Sequence, residues 1–407
     1  MAASTSFWAR STLAALAALG CTRTPAPTPP VDAQADVAHE AAASPETTTT
    51  DAPARDVGSD AGTDAGVRAR RVTLSVSSDL VLSPNLLARA DGSLATMVGT
   101  VASLLPQQAV ALGDLRGPLV ARATRQGPRV FAARVAVARE VVRLGYDAVL
   151  VANDHSLDQS AAGLAETTAA LRSAGVHPLG AGSDADAAWS PQIVERNGLR
   201  VAMLGFTQRV AAEAGRDDTA VHLARLGDDP APAVAAVTRA RDGVDLVAVL
   251  VHGMRLRDGR PTDAPRALVR ALVDAGADLV VGTGNPAMAL VERMPSPRGE
   301  AVVAWSLGTM VSGQGLGWHL GTSPAQVAAS PYVYDPHLRD AVVLHCRFDL
   351  SEPATVRVTG LTANALWTTL EGGSPRAVLL RNADTRVVAP RQQAVSAALG
   401  PAVRVRP

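Results

Sequence analysis

Short apolar segments alternate with amphipathic segments from residue 71 to the end of the chain. Residues 71–82 alternate Val and Leu with Ser and Thr, which predicts a first strand. Continuous apolar runs predict further buried strands at residues 148–152, 201–205, 246–251, 279–281 and 301–305. Residues 341–358 and 378–388 are predicted to add antiparallel strands.

Helical periodicity lies between these strands, at residues 133–144, 161–174 and 265–275. Each segment is followed by a glycine, Gly145, Gly175 or Gly276, as the C-terminus of a helix prefers. A further short helix is predicted at residues 392–399. Alternating strands and helices predict an α/β fold with a largely buried sheet.

The first 21 residues have a different pattern. A short segment ending at Arg10 precedes the apolar run 11–20 and then Cys21, which is typical of a signal peptide and too short to span a membrane. A cysteine directly after the run predicts a bacterial lipoprotein, exported and anchored by lipid on Cys21 so that it faces the periplasm or the cell exterior. An ordinary secretory signal is the alternative.

Composition divides the rest of the chain. Residues 22–70 are rich in Ala, Thr, Pro and Asp and nearly free of large apolar side chains, which predicts a disordered spacer. Residues 71–350 are predicted to form the α/β domain, and residues 351–407 a C-terminal extension. The 38 basic residues balance 38 acidic ones, so binding of nucleic acid through bulk charge is excluded.

Polar residues follow four of the predicted strands. They are Asp79, the run Asn153, Asp154 and His155, then His252, and finally the Gly-rich turn 282–285. Ligands bind at the carboxyl ends of strands in open α/β sheets, so this pattern favours an oxygen- and imidazole-liganded metal site. Taken singly, each residue has a structural alternative: Asp79 and Asp154 could cap turns, and either histidine could be a hydrogen-bonded core residue.

The segment from Gly145 to Gly182, with Asn153-Asp154-His155 at its centre, resembles the central block of bacterial CapA-type capsule synthesis proteins. The resemblance continues in order through Asp79, residues 114–118, His252 and residues 305–308. It implies a two-sheet αββα sandwich similar to calcineurin-like metallophosphatases. It also implies a role in the synthesis or export of capsule or poly-γ-glutamate at the cell envelope.

Several positions depart from the family's motifs. Arg116 stands where the family has a glutamate, and Thr283, Gly284 and Asn285 stand where it has a histidine-rich turn. The candidate metal ligands that remain are Asp79, Asn153, His155 and His252; of these, His155 and His252 are the candidate catalytic residues. Asp114, Arg116 and Asp154 are the candidate substrate-binding residues. A complete two-metal site is therefore not expected.

Three interpretations stay open. A single divalent ion held by Asp79, His155 and His252 would polarise a phosphoester or amide substrate. Alternatively, Arg116 pairs with Asp79 or Asp114 in a metal-free pocket that binds an anionic polymer, since guanidinium groups suit carboxylates and phosphates. In the third interpretation, the residues that still match the family's motifs have only a structural role, and the protein is a scaffold for envelope proteins.

Overall fold

The computed structural model describes residues 70–127, 129–211, 222–227 and 229–407. The signal peptide, Cys21 and nearly all of the predicted spacer lie outside these residues. These described residues all lie within one compact unit. None of the helices in the described part of the chain is both long enough and apolar enough to cross a membrane.

The strands in chain order are β1 (Arg71–Ser77), β2 (Leu80–Val81), β3 (Ala109–Arg116), β4 (Leu119–Val120), β5 (Ala133–Arg134), β6 (Ala148–Leu150), β7 (His177–Leu179), β8 (Ala181–Gly182), β9 (Gln192–Arg196), β10 (Leu199–Thr207), β11 (His222–Leu223), β12 (Leu246–His252), β13 (Leu256–Arg257), β14 (Arg260–Pro261), β15 (Leu279–Thr283), β16 (Val291–Ser296), β17 (Gly299–Ala304), β18 (Asp340–Asp349), β19 (Arg357–Glu371), β20 (Ser374–Leu379) and β21 (Arg404–Arg406).

The α-helices are α1 (Pro84–Ala88), α2 (Leu94–Val98), α3 (Val137–Arg143), α4 (Ser160–Ala174), α5 (Ala185–Trp189), α6 (Ala231–Ala240), α7 (Asp263–Asp274), α8 (Pro324–Ala329), α9 (Pro331–Tyr334) and α10 (Thr385–Leu399). Short 3-10 helices cover Gly99–Ser103, Pro336–Arg339 and Leu380–Asn382.

Two large mixed sheets form the centre of the fold. The first has the order β20-β19-β18-β1-β3-β6-β7, and the second has the order β16-β17-β15-β12-β10-β9. The strands β1, β3, β6 and β7 run parallel, as do β10, β12, β15 and β17. The carboxyl ends of parallel strands in each sheet therefore share one edge.

The main core lies between the two sheets, where Leu74, Leu112 and Leu150 join Met203 and Leu250 in one apolar cluster. Each sheet buries its other face against helices. The outer cluster of the first sheet includes α3 and α4, and that of the second sheet includes α6 and α7. This confirms the αββα sandwich.

The C-terminal residues differ in detail from the sequence prediction. Residues 341–358 do begin with the antiparallel strand β18. Of residues 378–388, only Val378 and Leu379 are in a strand, and the remainder passes through a 3-10 turn into α10. That helix starts at Thr385 rather than near residue 392, because Asp384 caps its first turn by accepting from Arg386 N.

Candidate functional site

The candidate site residues come together where strands of both sheets end. Asp79 follows β1, Asp114 lies near the end of β3, and Asn153 to His155 follow β6, all in the first sheet. His252 ends β12 of the second sheet. The side chains of Asp114 and His252 meet at 2.8 Å, so the site joins the two sheets.

Asp114 is the buried centre of this arrangement. Its Oδ1 accepts from Asn153 Nδ2 at 2.9 Å, and its Oδ2 accepts from Thr283 Oγ1 at 2.6 Å and from His252 Nδ1 at 2.8 Å. Asp114, Asn153 and His252 are completely buried. Asp114 was expected to bind substrate, but the structure places it beneath the pocket, where it orients His252.

Arg116 lies above this centre and is held between two carboxylates. Its Nη2 donates to Asp154 Oδ2 at 2.8 Å and to Oδ1 at 3.0 Å, and its Nε lies 3.2 Å from the same Oδ1. Its Nη1 lies 3.8 Å from Asp79 Oδ2. The closest partner is thus Asp154, which the sequence analysis did not name, while the expected pairing with Asp79 is present at the longer distance.

His252 is enclosed by acidic groups on both sides of its ring. Its Nε2 lies 3.1 Å from Asp154 Oδ1, yet it is buried without a well-directed hydrogen bond, so the contact is best described as a close ion pair. Burial acts to lower the pKa of His252, but the charges of Asp114 and Asp154, with the hydrogen bond to Asp114, raise it to about 9. The ring is therefore an imidazolium at neutral pH.

The pKa values of Asp79 and Asp154 are shifted in opposite directions. Burial and the charge of Asp114 raise the pKa of Asp79 to about 7, although Arg116, His252 and the Gly284 N–H oppose this shift. Burial also acts to raise the pKa of Asp154, but His252 and Arg116 hold it well below its usual range. Asp154 is consequently the permanent anion of the pocket, and Asp79 titrates near neutrality.

Gly284 allows His252 and Asp79 to lie so close to the turn after β15. Its N–H donates to Asp79 Oδ2 at 2.8 Å. A Cβ atom at this position would lie 2.6 Å from the His252 ring, and the backbone has φ +86°. Any other residue would displace the imidazole or strain the turn.

His155 forms part of the pocket wall. Its ring stacks on Phe131 with centroids 3.6 Å apart and planes 5° apart. Its Nδ1 lies 2.7 Å from Asp158 Oδ2, which also accepts from Phe131 N at 2.6 Å. Its Nε2 is 4.0 Å from Asp154 Oδ1, so the ring is fixed in orientation beside the ion pair.

The pocket above these groups has a volume of about 390 Å³. Arg116, Asp154 and His155 line it together with Arg209, Gly284 and Tyr332. Asp79, Asn153 and His252 do not line it. In the described residues, no group of three or more His, Cys, Asp or Glu side chains is arranged to hold a metal ion.

Sequence reasoning missed two contributors to the site. Thr283 was noted only as the replacement of a histidine, yet its hydroxyl donates to Asp114. Arg209 lies two residues after the end of β10 in the second sheet, and its position after that strand is the signal that could have found it.

The model of the family described as "Bacterial capsule synthesis protein PGA_cap" matches residues 73–314, which is more than half of the 407-residue chain. The chain belongs to this family. The match includes every residue of the site described above except Tyr332. It confirms the CapA-type resemblance found in the sequence.

Two curated relatives carry related names. The capsule biosynthesis protein CapA of Bacillus anthracis is 30% identical over 189 residues, 46% of this chain and 44% of the relative. The PGA biosynthesis protein CapA of Bacillus subtilis is 32% identical over 169 residues, 40% of this chain and 42% of the relative. The chain thus spans less than half the length of the curated relatives it matches.

Solved structures are similar only distantly. A hypothetical protein from Thermus thermophilus aligns with a TM-score of 0.43 at 17% identity, covering 72% of this chain and 98% of its own. NAD nucleotidase of Haemophilus influenzae aligns with a TM-score of 0.42 at 11% identity, covering 83% and 64%. Similarity at this level carries no information about the substrate.

Proposed function

We propose that this protein serves the synthesis or export of an anionic capsule-type polymer such as poly-γ-glutamate, and that its site works without a resident divalent ion. The family match supports the first part, because residues 73–314 match a model described as a bacterial capsule synthesis protein. The position of Arg116 supports the second. The single observation that carries it is the guanidinium held between Asp154 and Asp79.

The donor atoms around Arg116 do not suit a divalent cation. Asp79 and Asp154, the two acidic groups nearest the pocket, already face the guanidinium, and Asp114 is saturated by hydrogen bonds below it. Both nitrogens of His252 already face carboxylates, Nδ1 at 2.8 Å from Asp114 and Nε2 at 3.1 Å from Asp154. A divalent ion would also be repelled by Arg116 unless the side chain moved away.

Proposed localisation follows from the N-terminal residues. The protein would be exported and held at the membrane by lipid on Cys21, with the domain reaching envelope partners or the polymer through the spacer. Lipidation and the spacer both belong to residues outside the described part of the chain. They are therefore proposed from the sequence pattern.

A second candidate function is a single-metal hydrolase of phosphoester or amide bonds. One observation favours it: His252 Nε2 is buried without a well-directed hydrogen bond and faces Asp154 Oδ1 at 3.1 Å, so an imidazole nitrogen and a carboxylate oxygen lie side by side. Such a site requires Arg116 to leave Asp79. Chelation should abolish the activity of such a hydrolase, whereas it should leave a metal-free site unaffected.

The experiment is deletion of the gene in its source bacterium, followed by quantification of surface-attached anionic polymer. Restoration by the unmodified gene is expected, and Cys21→Ser should restore less polymer because the protein is no longer anchored. Arg116→Glu should fail to restore it, while the exposed control Arg270→Glu should succeed. Unchanged surface polymer in the deletion strain would refute the proposed role.

A further inference from the structure

A second pocket adjoins the candidate site and has a different electrostatic character. It has a volume of about 480 Å³ and is lined by Gln208, Arg209, Arg225, Leu226, Gly227, Gly253, Arg255, Thr262, Ala264 and Pro265. Arg209 lines both pockets, so the two cavities are neighbours. We refer to this cavity as the arginine pocket.

The two pockets differ in how far their arginines are paired with carboxylates. In the candidate site Arg116 is matched by Asp154 and Asp79, so little positive charge remains for a ligand. The described residues that line the arginine pocket include three arginines and no carboxylate. Within the described part of the chain, none of these three guanidinium groups forms an ion pair or a side-chain hydrogen bond; the groups are exposed.

The backbone holds the three arginines in place. Arg209 N donates to Thr207 Oγ1 at 3.1 Å, and the stem of Arg209 packs on Gly253, where a Cβ atom would lie 2.8 Å from it. Arg225 pairs with Thr207 in an isolated bridge. Arg255 follows the buried Met254, whose carbonyl accepts from Asn285 Nδ2 at 3.1 Å.

The start of α7 forms another part of the wall through Thr262, Ala264 and Pro265. Thr262 makes no side-chain hydrogen bond to the first turn of the helix, so the N–H groups there lack a side-chain cap. Asp263 in the first turn offsets part of the positive end of the helix. The positive charge of the pocket therefore comes from the arginines.

We propose that the arginine pocket is a binding site for consecutive carboxylate groups of a linear anionic chain, next to the Arg116 site. A cleft lined by one sign of charge concentrates ligands of the opposite sign, and guanidinium groups form paired hydrogen bonds with carboxylates. A polycarboxylate presents such groups in a row, which suits three separate guanidinium groups. This inference rests on the proposed function for the identity of the polymer as a polycarboxylate.

The experiment measures binding of fluorescently labelled poly-γ-glutamate to the full-length chain at low salt. The double variant Arg225→Gln, Arg255→Gln removes two charges without touching the Arg116 site, and we expect its affinity to fall about tenfold or more. The control variant Arg139→Gln, Arg143→Gln removes the same charge from exposed positions on α3. The control should bind as the unmodified protein does.

Three results would overturn this inference. Equal losses in the two double variants would show that only net charge matters, and no loss in the test variant would exclude the pocket. Binding of polyphosphate but not of poly-γ-glutamate would exclude a polycarboxylate as the ligand. If the gene deletion lowers surface polymer but the test variant keeps its affinity, only this inference fails. If the deletion leaves surface polymer unchanged and the test variant keeps its affinity, the proposed function is refuted as well.

Discussion

At the scale of single residues, Arg116 decides the character of the site. A permanent cation between Asp154 and Asp79 supplies the positive charge that neighbouring carboxylates require when they are buried. With His252, the guanidinium keeps Asp154 ionised, and it opposes the burial and the charge of Asp114 that raise the pKa of Asp79 to about 7. The sequence predicted that Arg116 lies in the site, but its main partner could not be read from spacing, because Asp79, Asp114 and Asp154 all lie at or near the ends of strands that meet at one edge.

Removing the guanidinium should destabilise the fold. Arg116→Gln leaves Asp154 with His252 as its remaining cationic partner and removes the cation beside Asp79, and we expect the free energy of unfolding to fall by about 3–5 kcal/mol. The double variant Arg116→Gln, Asp154→Asn should recover part of the loss, because the unpaired charge is gone. Urea unfolding measures both.

The matched control for this cycle is Arg270→Gln, which breaks the exposed pair with Asp274 within α7. It should change the free energy of unfolding by less than about 0.5 kcal/mol. A loss in Arg116→Gln as small as that of the control would contradict a buried, charge-balancing role.

His252 should give stability a distinct pH dependence. Its pKa in the folded protein, about 9, lies above its ordinary value of 6.5, so the folded state binds the proton more tightly. The stability that His252 contributes is fully present below pH 6.5 and is lost as the pH rises through 9. Asp79, whose pKa is raised from 3.8 to about 7, also contributes stability that is lost as the pH rises through 7, so most of this second loss has already occurred above that pH.

Unfolding free energies measured between pH 7 and 9.5 should therefore fall in the unmodified protein and fall less in His252→Gln. The control His222→Gln changes an exposed histidine and should keep the original slope. Identical slopes in all three proteins would contradict a charged His252.

At the scale of elements, the site depends on strand ends from two sheets meeting across the core. The apolar runs predicted β6, β10, β12 and β15 with small errors at their ends, because these strands are buried on both faces. The sequence analysis did not predict β3, although it carries Asp114 and Arg116. Its apolar run is short and is broken by Gly113 and Asp114, whose burial depends on partners distant in sequence.

Close approach of the two sheets near the site requires a glycine in β10. A Cβ atom on Gly205 would lie 2.4 Å from Leu150 Cδ1 and 2.9 Å from Leu179 Cβ, in the first sheet. Gly205→Ala should therefore cost about 1–3 kcal/mol of unfolding free energy, because the core must shift to admit the methyl group.

Gly99→Ala is the control for this substitution. Nothing lies within 4 Å of a Cβ atom at Gly99, and its φ of −56° suits any residue. We expect stability to be unchanged or to rise by about 0.4–1 kcal/mol in thermal unfolding. Equal effects of the two substitutions would mean that the sheets are not tightly packed at Gly205.

At the scale of the whole molecule, the fold and the family are better defined than the chemistry. The two sheets, their helices and the family match agree with the order of motifs along the sequence. In the sequence, the replacement of the family's metal ligands at several positions is what distinguished the metal-free interpretation from the metal-dependent one. The structure adds the position of Arg116 and the arginine pocket, both of which depend on contacts between distant strands.

The central claim is that Arg116 supplies the positive charge of the site in place of a divalent ion. Elemental analysis of the purified full-length chain tests it most directly, beside Arg116→Glu and the double variant His155→Ala, His252→Ala. We predict no bound metal in the unmodified protein and increased affinity for Mn²⁺ in Arg116→Glu, since a repelling cation is replaced by an anionic ligand. About one equivalent of metal in the unmodified protein, lost in the histidine variant, would contradict the account.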